Sequence, residues 1–272
     1  MRWAAPAWLL FAACSAAGQG VVWAEDLTSA LAAAGKDRLV MAHFWSETCP
    51  WCEEYEKSTY RTSEFAEFAK QLVVVRVNGE REGAALVEKY GVRGYPTLLF
   101  LTAEGEVLGR IQGFASTDVL QFEWEGASRR AKGLAKEPQD ARAFADRVAV
   151  AAARRDEPGL LRWLKSLEGS KSNARDACAE AYLAAGVFYE EELRQQDARP
   201  LFDKALAQAQ SARLQAYARM GIVRTLLSVG RFGECVGQLE AALATKKLFS
   251  SHEQHARTLL KLAREKAGLP PP

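Results

Sequence analysis

The sequence predicts two folded units in series: an α/β unit with a mixed sheet and flanking helices, then an all-α unit of helical hairpins. Three observations carry this. Short apolar runs alternate with helical patterns up to residue 128. From residue 140 onward no strand pattern remains, only Ala- and Leu-rich segments with apolar residues at helical spacing. The length, 272 residues, is too great for one small α/β unit and suits two modest domains.

Residues 27–34 read as a short amphipathic helix ended by Gly35. Leu39 to Trp45 is a continuous apolar run interrupted only by His43, the pattern of a strand buried on both faces. Residues 51–70 read as a helix or two, with Phe65 and Phe68 on one face. Gln71 to Val77 is a second buried strand, and Ala84 to Tyr90 a helix stopped by Gly91. Thr97 to Leu101 and Val107 to Gln112 flank a turn at Ala103-Glu104-Gly105-Glu106, which makes them a hairpin. Residues 117–128 close the unit with a helix. This order implies crossover helices on a sheet that ends in an antiparallel pair.

Residues 129–139 read as a basic linker ending after Pro138. Beyond it, helices are expected near 140–154, 158–168, 174–192, 196–209, 212–229, 232–245 and 251–266. Asp156 before Pro158 is a helix start, and Gly169 and Gly230 are stops. The unit spans 140–268, followed by a frayed tail.

The first 24 residues differ from the rest. Arg2 precedes an apolar run from Trp3 to Ala17, and Val22-Trp23-Ala24 is a small-x-small site ahead of Glu25. This is the pattern of a cleaved export signal, which starts the first domain at residue 25 and implies a bacterial periplasm-like destination. The alternatives are lipid attachment at Cys14 or an uncleaved N-terminal segment. The apolar run is short for a bilayer, which needs about 20 residues, and no later segment is apolar enough to span one. The near balance of 36 basic and 34 acidic residues argues against nucleic acid as the main partner.

Cys49-Pro50-Trp51-Cys52 lies at the start of a helix, directly after a buried strand. Disulfide exchange needs a thiolate, a second thiol to resolve the mixed disulfide, and access. Backbone N–H groups at a helix start favour a thiolate on the first Cys, and Pro50 suits that position because it lacks an N–H. By this logic Cys49 attacks and Cys52 resolves, with no dissociable cofactor and no metal. The rival reading is half of a zinc site, but there is no second Cys-x-x-Cys, and His252 and His255 lie in the last helix of the other unit. Cys178 and Cys235 either pair or remain buried thiols.

Phe44-Trp45-Ser46-Glu47-Thr48-Cys49-Pro50-Trp51-Cys52 resembles the active-site segment of the thioredoxin family. Tyr90-Gly91-Val92-Arg93-Gly94-Tyr95-Pro96-Thr97-Leu98 is similar to that family's second signature, and Gly105 and Gly113 fall at its later glycines. The resemblance covers residues 27–128 and implies an α/β thioredoxin fold. It also implies a cis Tyr95–Pro96 bond in a loop that faces the redox pair and binds an extended substrate strand. Trp45 and Trp51 would supply apolar surface beside the thiols. Three residues depart from the family: Pro50-Trp51 replaces Gly-Pro, Thr48 replaces a Trp, and His43 stands where a buried Asp handles protons for the resolving Cys. His43 is a candidate for that role because imidazole titrates near neutral pH, and Glu56, one turn after Cys52, is a second. Direction of electron flow stays open.

Residues 179–210 resemble a tetratricopeptide repeat, with Tyr182, Ala185-Gly186, Tyr189, Ala198, Phe202 and Ala205 at that family's positions. Gly221, Gly230 and Ala242 fit a second repeat less well. The expectation is an exported thiol–disulfide oxidoreductase acting on substrate protein thiols or disulfides together with a redox partner protein, its helical unit docking a further partner. The alternative is a repeat adaptor whose first domain is a scaffold or redox sensor.

Overall fold

The computed structural model describes residues 20–170 and 174–270. The Cys14 reading and most of the export signal lie outside the described residues. Five strands form one sheet: β1 (Trp23–Ala24), β2 (Val40–Trp45), β3 (Val73–Asn78), β4 (Thr97–Leu101) and β5 (Val107–Gln112). Their order is β1-β3-β2-β4-β5. β1, β3 and β2 run parallel, while β4 pairs antiparallel with β2 and β5 antiparallel with β4. Strand alternation divides the core. Met41, Leu98 and Phe100 face Phe65, Phe68 and Leu120, whereas Val40, Ala42, Phe44 and Leu99 face Leu27, Ala30 and Tyr90.

Helices cover both faces: α1 (Leu27–Ala34), α2 (Pro50–Glu54), α3 (Ser63–Ala69), α4 (Ala84–Lys89) and α5 (Thr117–Gly133). Asp26 caps α1 by accepting the Ser29 N–H, and Thr62 caps α3 by accepting that of Phe65. Between α2 and α3, Tyr55–Thr59 forms a π-helical turn closed by the Tyr60 N–H to Tyr55 carbonyl bond, 2.8 Å. That turn divides the stretch 51–70, read from sequence as a helix or two, into α2 and α3.

Two boundaries differ from expectation. The first domain was expected to start at residue 25, yet β1 lies upstream of that point. Trp23 packs edge-on against Tyr60 with ring centres 4.9 Å apart, and Arg76 lies 4.1 Å over its ring. A two-residue strand has no periodicity to detect. α5 also runs through Gly133 into the expected linker, because Arg130 is buried there and donates to the Leu108 carbonyl at 2.7 Å.

The helical half contains α6 (Ala141–Arg154), α7 (Glu157–Gly169), α8 (Arg175–Glu191), α9 (Gln195–Gln208), α10 (Ala212–Ser228), α11 (Phe232–Ala244) and α12 (Ser250–Lys266). Successive helices pair as hairpins around one core. Phe202 is the wedge between two of them. A Cβ at Gly186 would stand 2.6 Å from its ring, and one at Gly221 only 2.4 Å away. The absent side chains on α8 and α10 are therefore the space that Phe202 fills.

α6 joins the halves by lying along β5. Its Val150 enters the core on one face of the sheet and its Ala153 the core on the other. Arg154 Nε donates to the Val107 carbonyl at 3.0 Å, and Arg110 Nε donates to the Ala153 carbonyl at 2.8 Å.

Candidate active site

Cys49 is the N-cap of α2, with extended backbone and Pro50 in the first turn. Its Sγ accepts the Cys52 backbone N–H at 3.1 Å. The two cysteines are disulfide-bonded, with Cα atoms 5.3 Å apart. Cys49 is half-buried, Cys52 buried, and Trp51 between them is 61% exposed. Cys49 is thus reachable while Cys52 is sheltered. In the reduced state the same N–H and the α2 N-terminus would stabilise negative charge on Cys49.

The active-site helix is tied to the end of the β4–β5 hairpin. Tyr55 Oη donates to the Gly113 carbonyl at 3.1 Å, and Thr59 Oγ1 to that of Ala115 at 3.3 Å. Phe114 stands beside Trp51, ring centres 6.3 Å apart, which extends apolar surface next to the disulfide. At the same end of the sheet, the Trp45 carbonyl accepts the Gly79 N–H at 2.9 Å. A Cβ at Gly79 would stand 2.2 Å from the Tyr95 hydroxyl, so the ring lies directly over that glycine. The Tyr95–Pro96 bond is cis, Pro96 is buried, and its carbonyl accepts the Gly113 N–H at 2.8 Å. Burial raises the Tyr95 phenol above its ordinary range, helped by nearby Glu80.

His43 lies in β2, while Glu56 belongs to the π-helical turn itself. His43 is 1% exposed, packed on Tyr55, with Nδ1 2.9 Å from Tyr60 Oη and Nε2 without a partner. Burial, with the Arg76 charge in second place, lowers its pKa to about 3. It is therefore neutral at neutral pH, and titration there is not available to it. Glu56 is bound to Arg76 at 2.8 Å, in a half-exposed ion pair.

Tyr55, Tyr60, Arg76 and Phe114 were not among the residues the sequence singled out. Tyr55 and Tyr60 both point inward although five residues apart, a spacing that fits no α-helical face and follows from the π-helical turn. Among the described residues, no group of three or more His, Cys, Asp or Glu is arranged to hold a metal. Cys178 and Cys235 are free thiols and do not pair.

Residues 26–124 match the family described as thioredoxin-like domain. The chain carries a thioredoxin-like domain. Over 95 residues it is 33% identical to the thiol:disulfide interchange protein DsbD of Cronobacter sakazakii, covering 33% of this chain and 16% of that protein. Over 115 residues it is 32% identical to DsbD of Salmonella typhi, covering 40% of this chain and 19% of that protein. The chain thus spans less than a fifth of the length of these relatives. A solution structure of a thioredoxin from Thermus thermophilus is 27% identical, with a TM-score of 0.36 over 39% of this chain and 87% of that one. The matched residues hold β2 to β5 and the Cys49–Cys52 pair; β1 and α6 to α12 lie outside the match.

Proposed function

We propose that the protein is an exported thiol–disulfide oxidoreductase whose thioredoxin-like domain exchanges disulfides with partner proteins. The observation that carries this reading is Cys49 at the N-cap of α2, half-exposed, with its Sγ receiving a backbone N–H. The Cys49 thiolate attacks a partner disulfide, forms a mixed disulfide and releases one partner thiolate. The Cys52 thiolate then attacks Cys49 Sγ and releases the second. Two electrons pass to the partner, and the Cys49–Cys52 disulfide closes; the reverse sequence oxidises a partner dithiol. Trp45, Trp51 and Phe114 form the apolar rim, and Tyr95-Pro96 the strand-binding loop. In the same reading a redox partner protein resets the pair.

His43 keeps a neutral ring under the active-site helix, where Tyr60 fixes its orientation. Glu56 is assigned to the Arg76 ion pair rather than to proton transfer. The helical hairpins, with Phe202 seated on Gly186 and Gly221, are read as tetratricopeptide-like and as a docking surface for a protein partner. Export rests on the signal-like leader read over residues 1–24.

The test is disulfide exchange with insulin. Cys49→Ser is expected to abolish it, and Cys52→Ser to trap mixed disulfides visible on a non-reducing gel. Full activity in Cys49→Ser would sink the reading.

A further inference from the structure

The segment from Tyr90 to Pro96 links α4 to β4, and the hydrogen bonds and ion pairs that hold it come largely from residues outside the α4–β4 connection. The Tyr90 and Gly91 carbonyls accept from the Arg110 guanidinium of β5. Arg110 also donates to Ala153 of α6, and burial lowers its pKa to about 10. Arg155, the C-cap of α6, reaches the same place. Its Cγ would lie 3.4 Å from a Cβ on Gly91, and its Nη2 is 3.4 Å from Gln112 Oε1. Gln112 Nε2 in turn lies 3.5 Å from a Cβ position on Gly94.

Arg155 is an unusual cap. Its φ is +63°, in the left-handed region where glycine is the common choice. A side chain at that position is retained at some conformational cost, so its contacts matter. The guanidinium is nine-tenths buried and bound by Glu191 at 2.7 Å and by Glu192 at 3.4 Å. Both acids are at the C-terminal end of α8, where the helix dipole adds negative potential. Glu192 also pairs with Arg93, inside the loop itself. Gly91, whose Cβ position lies 3.4 Å from Arg155 Cγ, has φ +58°. Glu192 thus binds both Arg155 and the loop residue Arg93, while Arg155 and Gln112 lie beside the Cβ positions of Gly91 and Gly94.

We infer that Arg155, anchored by Glu191 and Glu192, is a positioning residue for the Gly91–Pro96 loop, so that the helical half sets the shape of the groove in which an extended protein substrate lies. This rests on the reading of that loop as the substrate groove. The helical half is then a working part of the redox site, in addition to any docking it performs. An extended substrate needs its backbone partners held in place, whereas a small disulfide needs only the Cys49 thiolate.

The experiment compares full-length wild type and Arg155→Ala on two oxidants, insulin and cystamine. The expected result is a KM for insulin raised about tenfold, with kcat and the cystamine rate changed by no more than about twofold, the signature of lost binding rather than lost chemistry. Arg155→Lys should recover part of the insulin KM. Unchanged insulin KM overturns the inference, and so does an equal loss on both oxidants. Should Arg155→Ala fail to fold, Glu192→Gln removes the charge of one anchor while keeping its shape and should raise the insulin KM about threefold by the same logic; no rise overturns the inference. A wild type that neither reduces these two oxidants nor, as its disulfide, oxidises a peptide dithiol marks failure of the redox reading itself, a result distinct from an active wild type matched by its Arg155 variant.

Discussion

The two halves of the molecule place sulfur in opposite electrostatic settings. Cys49, at the mouth of α2, is an acceptor: its Sγ receives a backbone N–H at 3.1 Å. Cys235, inside α11, is a donor: its Sγ faces the Val223 carbonyl at 3.8 Å and the Arg231 carbonyl at 3.4 Å. The first arrangement favours a thiolate and the second a thiol, and burial pushes the Cys235 thiol up further. The wider surroundings differ in the same sense. Around Cys49 the backbone is irregular, with an N-cap, a π-helical turn and tight glycines. Cys235 lies in the first turn of α11, fully buried, and its sulfur meets carbonyls rather than N–H groups. The two sulfurs thus differ in burial and in the backbone groups they face.

Three measurements break or sharpen this contrast. The largest effect is expected where packing is concentrated. Phe202→Ala should destabilise the helical half by about 3–5 kcal/mol, read as a loss of urea midpoint, because the ring fills the space left by Gly186 and Gly221. A loss below about 1 kcal/mol would mean the wedge is dispensable. Next, the reduced protein should alkylate at Cys49 about 100-fold faster than at Cys235 at neutral pH, followed by peptide mass mapping. Similar rates would erase the electrostatic distinction.

The smallest is a pH effect. The folded-state pKa of His43 lies near 3, below the ordinary 6.5. The unfolded chain therefore binds a proton there that the folded one does not, and stability falls as pH drops from 6.5 toward 3. The slope is at most about 1.4 kcal/mol per pH unit. His43→Phe should flatten that part of the stability profile; an unchanged slope would assign the pH response to other groups, such as His252, whose pKa burial lowers to about 4.

Much of the fold was legible because its signals are local. The helix start at Asp156 is a side-chain cap that accepts a backbone N–H three residues on, and the strands through Met41 and Leu99 are largely apolar runs. The Cys49-Cys52 spacing and the position of Pro96 were equally plain. Tyr60 was not, because its inward direction depends on a π-helical turn with no composition of its own. β1 escaped because two residues carry no period. The Arg155 contacts escaped for a different reason: Gln112 and Glu192 are 43 and 37 residues away in the chain, and only the folded arrangement brings them together.

The placement of α6 along β5 has a consequence for how the halves can be separated. A bare β5 would be an open sheet margin, a template for strands of other chains. In this molecule α6 fills it, and arginines from α5 and α6 occupy the Leu108 and Val107 carbonyls. The helical half thus guards its neighbour against self-association. Cutting the chain after α5 would uncover that margin and open the sheet to pairing with strands of other chains.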